Sequence, residues 1–526
     1  MSSLGFSQLG MALALAAVLA AQIEAGQAVV FEIDGAKKQA ISPYIYGTNQ
    51  PDWRTHSKHL TLTRWGGNRI TAYNWETNAS NAGSDWQHQN DALLSQSHSP
   101  GEPVRQLVAA AHAAGASVIV TVPICGYVAA DKLGGGDVNK TPDYLKTRFF
   151  PTFPRKNAAF SDPPNLGDGK VFQDEFVWWL EKAFPEARKD PARTIFYDLD
   201  NEPDLWSSTH ARIHPQKATY EEVARLNAES AAAIKAVAPK ALVFGPVNYG
   251  WQGLVKLQDA PDAKDRDFLD FYLQRMQAAH QKAGHRLVDV LDVHWYSEAR
   301  GANVRVVEDD SRPAVAAARV QAPRSLWDPS YTESSWITQW STKGPIRLIP
   351  RLREKIDKFY PGTRIALTEY NHGGGGDISG GIAEADTLGI FGREGVFAAA
   401  LWHVGRTDDR FIHAAFAMFR NYDGKGAAFG DTGLAAQTSD VERTSVYASL
   451  DAQGRIVLVA INKTDQVIPV EIRLSRCPRV ARAAVFRLTQ SSAQPVPGPD
   501  LPAAGPAKLN CDLPAQSVST LALTPG

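Results

Sequence analysis

Cysteine, long apolar runs and any excess of charge are all scarce in this chain. Across 526 residues, 55 lysines and arginines meet 56 aspartates and glutamates, leaving a net charge of −1. With no basic stripe and no acidic tail, nucleic acid is excluded as an expected partner, and nothing favours a charged polymer as ligand. Of the three cysteines, Cys125 closes an apolar run and reads as a small core hydrophobe. Cys477 and Cys511 fall in the C-terminal region and could pair in an oxidising compartment. No CxxC and no His-rich spacing marks a zinc site, so the metal content stays unknown at this stage. The apolar stretch from Met11 to Ala21 is too short to cross a bilayer. Small residues at Ala20, Ala25 and Ala28 offer cleavage points, so residues 1–28 read as a secretory signal of a secreted or periplasmic protein, with no membrane partner expected. That signal lacks the usual basic flank, because no Lys or Arg precedes Lys37.

The length exceeds what one core supports, so two domains are expected. A hydrophobic content of 44% and a charged content of 21% are those of an ordinary globular protein. Residues 29–40 read as an N-terminal strand segment that joins the C-terminal domain, with Val29 to Asp34 extended and a turn at Gly35. Eight apolar or β-branched runs then alternate with helical patterns: Tyr44–Asn49, Leu62–Asn68, Val118–Ile124, Ile195–Glu202, Leu242–Asn248, Val288–Tyr296, Ile365–Tyr370 and Val396–His403. That rhythm predicts an α/β fold, a closed (β/α)8 TIM-like barrel over residues 41–431, with chemistry at the C-terminal strand ends. Thr219-x-x-Glu222 is a capping box opening one helix. Long insertions after strands two, three and six suggest the walls of a cleft. From residue 432 to 526 the texture changes to short strands with Pro and Gly between them, a β-sandwich. Asp451 to Gly454 reads as a hairpin turn there, and the Pro-rich stretch 494–506 as a surface loop.

Two of the eight runs close on a glutamate. Ile195 onward ends in Asn201-Glu202-Pro203, where proline stops the ladder. Arg364 onward ends in Glu369, followed by Tyr370-Asn371-His372-Gly373. A carboxylate at the mouth of a buried strand is costly unless the position uses it. Two such glutamates suggest the paired carboxylates of a glycoside hydrolase. The alternative is that each caps a helix or holds an arginine. Thirteen tryptophans and fifteen tyrosines also suit a sugar binder, although aromatic rings fill cores as well.

Longer motifs then carry a resemblance. Tyr197–Trp206, Leu367–Trp402, Thr63-Arg64-Trp65-Gly66-Gly67-Asn68 and Arg420-Asn421-Tyr422-Asp423-Gly424 are similar to glycoside hydrolase family 44. The resemblance runs from about Ile33 into the C-terminal domain. It implies a TIM-like barrel joined to a β-sandwich, and retaining endo-β-1,4-glucanase or xyloglucanase activity, with mannan or xylan as alternatives. It implies Glu202 as acid/base and Glu369 as nucleophile. No organic cofactor is implied, and structural calcium occurs in some relatives. The sequence departs where His372 stands in place of an expected aromatic residue.

Other strand-end residues follow from physical argument. Asn201 precedes the acid/base and could reach a sugar 2-hydroxyl. Tyr296 could hold Glu369 ionised, and Arg64 would bring positive charge to it. Asn49 and the rings of Trp65, Trp295 and Trp402 complete the substrate-binding set expected at the rim. Retention predicts carboxyl groups about 5–5.5 Å apart. The expected partner is a β-glucan polysaccharide or oligosaccharide, handled by a monomer. A non-catalytic glycan-binding barrel is the rival from another class.

Overall fold

The computed structural model describes residues 28–56, 59–404, 408–505 and 507–526. The expected secretory signal lies outside the described residues. Among the described residues, no helix is long and apolar enough to cross a membrane. Contacts divide the chain into two compact units, Ala40–Asn421 and a second made of Tyr422–Gly526 with the segment ending at Gln39.

The larger unit is a closed barrel of eight parallel strands. In chain order they are Gly47–Asn49, Leu62–Trp65, Ser117–Val122, Ile195–Leu199, Val243–Asn248, Val290–Tyr296, Arg364–Asn371 and Ala398–Leu401. Neighbours in sequence are neighbours in the barrel, and the eighth strand closes on the first through Ala400↔Gly47 and Leu401↔Thr48. Strand alternation sends every second side chain inward. At the N-terminal end of the barrel those side chains are apolar, with Leu62, Ile119, Phe196, Phe244, Val290, Ala366 and Ala398 forming one buried cluster. Two residues further along, the same phase delivers Arg64, Asp198, Asp292 and Thr368, all fully buried. A plug of hydrocarbon thus supports a charged layer, and that layer lies directly beneath the strand ends.

The capping box is present: the Thr219 side chain accepts from the Glu222 N–H, opening the helix Tyr220–Val237. The insertions carry their own structure. Residues 80–91 form a two-stranded ribbon, and 127–172 hold a three-stranded sheet.

The smaller unit is a nine-stranded sheet whose two halves share one apolar core. Its order is Ser492–Pro502, Val480–Thr489, Ser517–Pro525, Ile456–Asn462, Thr444–Leu450, Thr432–Thr438, Val29–Ala40, Ile468–Ser475 and Lys508–Leu513. Three expectations need correction here. The first strand spans Val29–Ala40, the expected segment, but without the expected turn at Gly35. Glycine serves there for closeness, since a Cβ would lie 2.4 Å from the Arg476 carbonyl oxygen. The Pro-rich stretch is not a plain loop; Ser492–Pro502 is an edge strand, where prolines are tolerated because no further ladder forms. Cys477 and Cys511 do not pair, and all three cysteines are free. Cys511 lies opposite Val470, whereas Cys477 lies seven residues further on, past the end of that strand at Ser475 and the left-handed Arg476 at φ 53°.

Candidate active site

The site is built from Arg64 upward. Its guanidinium is fully buried and makes three bonds: Nε to Asp198 at 2.7 Å, one terminal nitrogen to Glu369 Oε1 at 2.8 Å, and the other to Asn201 Oδ1 at 3.0 Å. The paired acids hold it firmly charged, against the cost of burial. Gly66 makes room for this fork, because a Cβ there would lie 2.3 Å from the guanidinium carbon.

Glu369 reaches the barrel interior through an irregularity. Between the sixth and seventh strands the register passes from Val293↔Leu367 to His294↔Glu369, leaving Thr368 as an extra residue. A bulge of this kind lets two consecutive side chains face the same way. Thr368 accordingly bonds Asp292 at 2.8 and 2.9 Å, while Glu369 takes Arg64 on one oxygen and the Tyr296 hydroxyl on the other, at 2.7 Å. Burial pushes the Glu369 carboxyl up, with nearby Glu202 adding to it. Arg64 and the Tyr296 hydroxyl pull it back toward the ionised form.

Glu202 lies three residues beyond the fourth strand, on a left-handed turn at φ 46°. Its N–H donates to the Val247 carbonyl at 3.0 Å, and Val247 is itself left-handed at φ 62°. A β-branched residue in that region is strained, and the strain sits beside the carboxylate that it positions. Burial, reinforced by Asp85 and opposed only by Arg64, pushes Glu202 up to about 8. One carboxyl therefore holds its proton near neutrality, while two direct donors favour the charge on the other. That divergence separates a proton donor from a nucleophile.

His294 joins the two and is absent from the residues singled out in the sequence. Its Nδ1 lies 2.8 Å from Glu202 Oε1 and 3.5 Å from Glu369 Oε2. Burial drives the imidazole down to about 3, so it is neutral. Its Nε2 is buried without a partner. The proton therefore belongs on Nδ1, because an orphaned buried N–H costs about 1–3 kcal/mol. Strand phase was the available signal: Asp292, His294 and Tyr296 share one face. One donor atom from each of Glu202, His294 and Glu369 lies within 4.8 Å of the others.

The remaining expected residues divide. Asn201 is buried, with Nδ2 donating to Asn68 at 3.2 Å and Oδ1 held by Arg64. Asn49 is fully buried, and its amide nitrogen bonds the carbonyls of Thr368, Ala400 and Leu401. It ties barrel strands together and shows no face to a ligand. Trp295 and Trp65 are 1% and 4% exposed, so neither offers a ring face at the rim. Both follow inward-facing positions and so point outward, toward the helices. Trp402 alone of the three is half-buried. Its ring lies across Gly67, where a Cβ would come within 2.6 Å. His372 is buried and neutral, pushed down to about 4 by burial.

A groove lies near the site, reached through Asn68 and Asp85. Asn68 donates to Asp85 at 2.9 Å, and Asp85 lines an open groove of about 890 Å³ with Trp86, Asp91, Leu93 and Leu133. Trp86 is 57% exposed.

Comparison with known proteins agrees with this architecture. Residues 79–299 match the sequence profile of glycoside hydrolase family 44. A Paenibacillus polymyxa xyloglucanase from that family, solved with xyloglucan, superposes with a TM-score of 0.90 at 38% identity, covering 95% of this chain and 100% of that one. Endoglucanase A of Paenibacillus lautus is 42% identical over 460 residues, which is 84% of this chain and 64% of its own length. A β-mannanase/endoglucanase A of Caldicellulosiruptor saccharolyticus is 41% identical over 490 residues, 87% of this chain and 36% of its own. The chain thus spans about a third and just under two thirds of these two longer relatives. With a solved relative matched over its whole length, the chain belongs to glycoside hydrolase family 44.

Proposed function

We propose that this chain hydrolyses β-1,4-glucan backbones, of xyloglucan and cellulose type, from within the chain and with retention. The observation that carries this reading is the Glu202–Glu369 pair. An oxygen of each lies within 4.8 Å of the other, which suits direct attack and leaves no room for the water that inversion places between carboxyl groups about 6.5–9.5 Å apart. Glu202 protonates the leaving oxygen while Glu369 attacks the anomeric carbon, giving a glycosyl-enzyme. Glu202, now ionised, then takes a proton from water as that water displaces Glu369. His294 donates to Glu202 throughout, and its bond is strongest when Glu202 is charged.

Endo action is supported by the open groove that Asp85 lines, joined to the site through the Asp85–Asn68–Asn201 hydrogen bonds, where further sugar units of a chain could lie. The viscosity of a soluble glucan is expected to fall before reducing ends accumulate; monosaccharide as the sole early product refutes endo cleavage. Mannan or xylan cleavage on the same scaffold is the second reading, favoured by the relative named a β-mannanase, and a polysaccharide panel separates the two. A glycan-binding barrel without turnover is set aside by any hydrolysis at all. A polymeric glucan is met outside the cytoplasm, which suits a secreted or periplasmic monomer.

Among the described residues, the two clusters able to hold an ion are Glu202/His294/Glu369 and His403/Asp409/His413. Both contain imidazole, so neither of these two clusters has the all-oxygen donor set that calcium takes.

The assignment of roles is tested by chemical rescue. Glu202→Ala is expected to lose most activity on polymer yet still react with an activated aryl glycoside, and azide then speeds turnover to a product of retained configuration. Glu369→Gly is expected to stall even with the activated substrate, and azide gives the inverted product. Swapped outcomes reassign the roles, and wild-type activity in both variants removes both residues from the chemistry.

A further inference from the structure

The groove lined by Asp85 and Trp86 arises from the insertions after the second and third barrel strands. The barrel runs in sequence order, so the sixth strand stands four places from the second, across the mouth. On that far side a second group of polar side chains gathers beside the carboxylates, and none of the chemistry described so far uses it. It consists of Tyr249, just past the fifth strand, with Glu298 and Arg305 from the segment that follows the sixth.

Tyr249 is held against the turn that carries the acid/base. Asp204, two residues beyond Glu202, accepts the Tyr249 N–H at 3.0 Å and the Asn248 amide at 3.3 Å through one oxygen. Gly253 makes way for that carboxyl, since a Cβ there would lie 2.1 Å from its other oxygen. The Tyr249 ring is half-buried, and its centroid lies 6.1 Å from that of Tyr296, whose hydroxyl holds Glu369. Burial pushes the Tyr249 hydroxyl above the usual tyrosine range; Arg305 opposes this, while Glu202 and Glu298 add to it. One ring thus neighbours the acid/base, the tyrosine of the nucleophile and the charged pair.

That pair is left with bonding capacity. Arg305 ends a two-residue strand whose ladder to Arg300–Gly301 is made by backbone. Its guanidinium lies 2.8 Å from Glu298, with the two side chains 24% and 18% exposed. The approach lacks a hydrogen-bonding angle, and Nε and Nη2 of Arg305 make no hydrogen bond at all. A pyranose offers an apolar C–H face and adjacent hydroxyls around its edge. A tyrosine ring covers the first, while a guanidinium beside a carboxylate donates to and accepts from the second.

We propose that Tyr249, Arg305 and Glu298 bind the sugar unit that departs when the glycosidic bond is cut. This rests on the hydrolase reading above and gives the departing sugar its place. The glycosyl half stays on Glu369, and the half that leaves takes its proton from Glu202, the carboxyl next to Tyr249. A glucan lying in the Asp85 groove and crossing the mouth lays its next unit on Tyr249.

The test compares two substrates on the full chain. Cellotriosyl fluoride has a leaving group that fills no sugar site, whereas cellohexaose must seat a departing sugar. Tyr249→Ala and Arg305→Met are each expected to lower the ratio of kcat/KM on cellohexaose to that on the fluoride by about tenfold or more. A merely structural role would lower both rates together and leave the ratio alone. The second readout is transfer during turnover of the fluoride. Added cellobiose attacks the glycosyl-enzyme with its 4-hydroxyl, giving that proton to Glu202 and releasing Glu369. Both variants should need about tenfold more cellobiose than wild type for the same fraction of transfer product. Arg305 is partly exposed, so its arm stands even if Tyr249→Ala misfolds. A ratio unmoved in the folded variants, or transfer at the wild-type cellobiose concentration, overturns the proposal. A wild type inert toward both substrates overturns the hydrolase reading, and this proposal with it.

Discussion

Removing a single oxygen from Tyr296 isolates the electrostatic tuning of the nucleophile. The hydroxyl donates to Glu369 Oε2 at 2.7 Å. Burial, with Glu369 and Glu202 nearby, raises its own pKa well above the usual tyrosine value, so it remains a donor across the working range. Tyr296→Phe keeps the ring and deletes the bond. A hydrogen bond to a charged group contributes about 1.5–3 kcal/mol, and one pKa unit corresponds to about 1.4 kcal/mol. Loss of the donor therefore raises the Glu369 pKa by about one to two units. The lower end is favoured because Arg64 still holds the other oxygen at 2.8 Å. The nucleophile must be ionised, so the acidic limb of kcat/KM moves to higher pH by about one unit. The basic limb, set by Glu202, stays in place. The assay is a pH series of kcat/KM on an aryl cello-oligosaccharide, with circular dichroism to confirm folding. An acidic limb unmoved within about 0.2 units would show that the Tyr296 bond does not tune Glu369, and the reasoning fails.

Three further outcomes follow from the same geometry. Arg64→Met leaves Asp198 and Glu369 buried without their counter-charge and should cost about 3–5 kcal/mol of stability; urea unfolding showing a loss below about 1 kcal/mol contradicts the buried network. Gly67→Ala places a methyl 2.6 Å from the Trp402 ring at a backbone φ of +93°, so KM should rise several-fold with kcat less affected. An unchanged KM removes Trp402 from the substrate path. Asp85→Asn withdraws a negative charge that helps keep Glu202 protonated; Glu202 then ionises more easily and the basic limb of kcat/KM moves to lower pH, by less in high salt. A shift upward, or none at low salt, contradicts the link.

The barrel is legible because βα alternation leaves a coarse signal that survives uncertain boundaries. Each of the eight candidate runs contributes a strand, and the fourth ends at Leu199 rather than Glu202 because the left-handed backbone begins at Asp200, φ 69°. Glu202 and Glu369 stand out because a carboxylate ending an apolar run is physically expensive. What hid was the phase within each strand. Trp65 and Trp295 sit at strand ends, but next to Arg64, His294 and Tyr296, whose inward direction turns the two tryptophans outward. His294, inside Val-Leu-Asp-Val-His-Trp-Tyr, resembles a core residue until that phase is fixed. The bulge at Thr368 was equally hidden, since no proline or glycine announces it. Asn49 has the composition of a ligand contact, yet three carbonyls occupy its nitrogen.

The strand Val29–Ala40 lies inside the C-terminal sheet, between Thr432–Thr438 and Ile468–Ser475. Its parallel pairing aligns Val29 with Val470, and the Ser475 hydroxyl reaches the Ile33 carbonyl across 442 positions of sequence. A ribosome delivers the two partners far apart in time, with the whole barrel made between them. The early strand must wait, unpaired on both edges, while the whole barrel is made. The barrel, whose strands pair with sequence neighbours until the eighth closes on the first, can meanwhile assemble as it emerges. The sheet becomes complete only once Ser517–Pro525 has been made, so its closure waits on strands far downstream of the barrel. Truncated translation products would expose two adhesive strand edges, marking them for aggregation or proteolysis before a defective enzyme could accumulate.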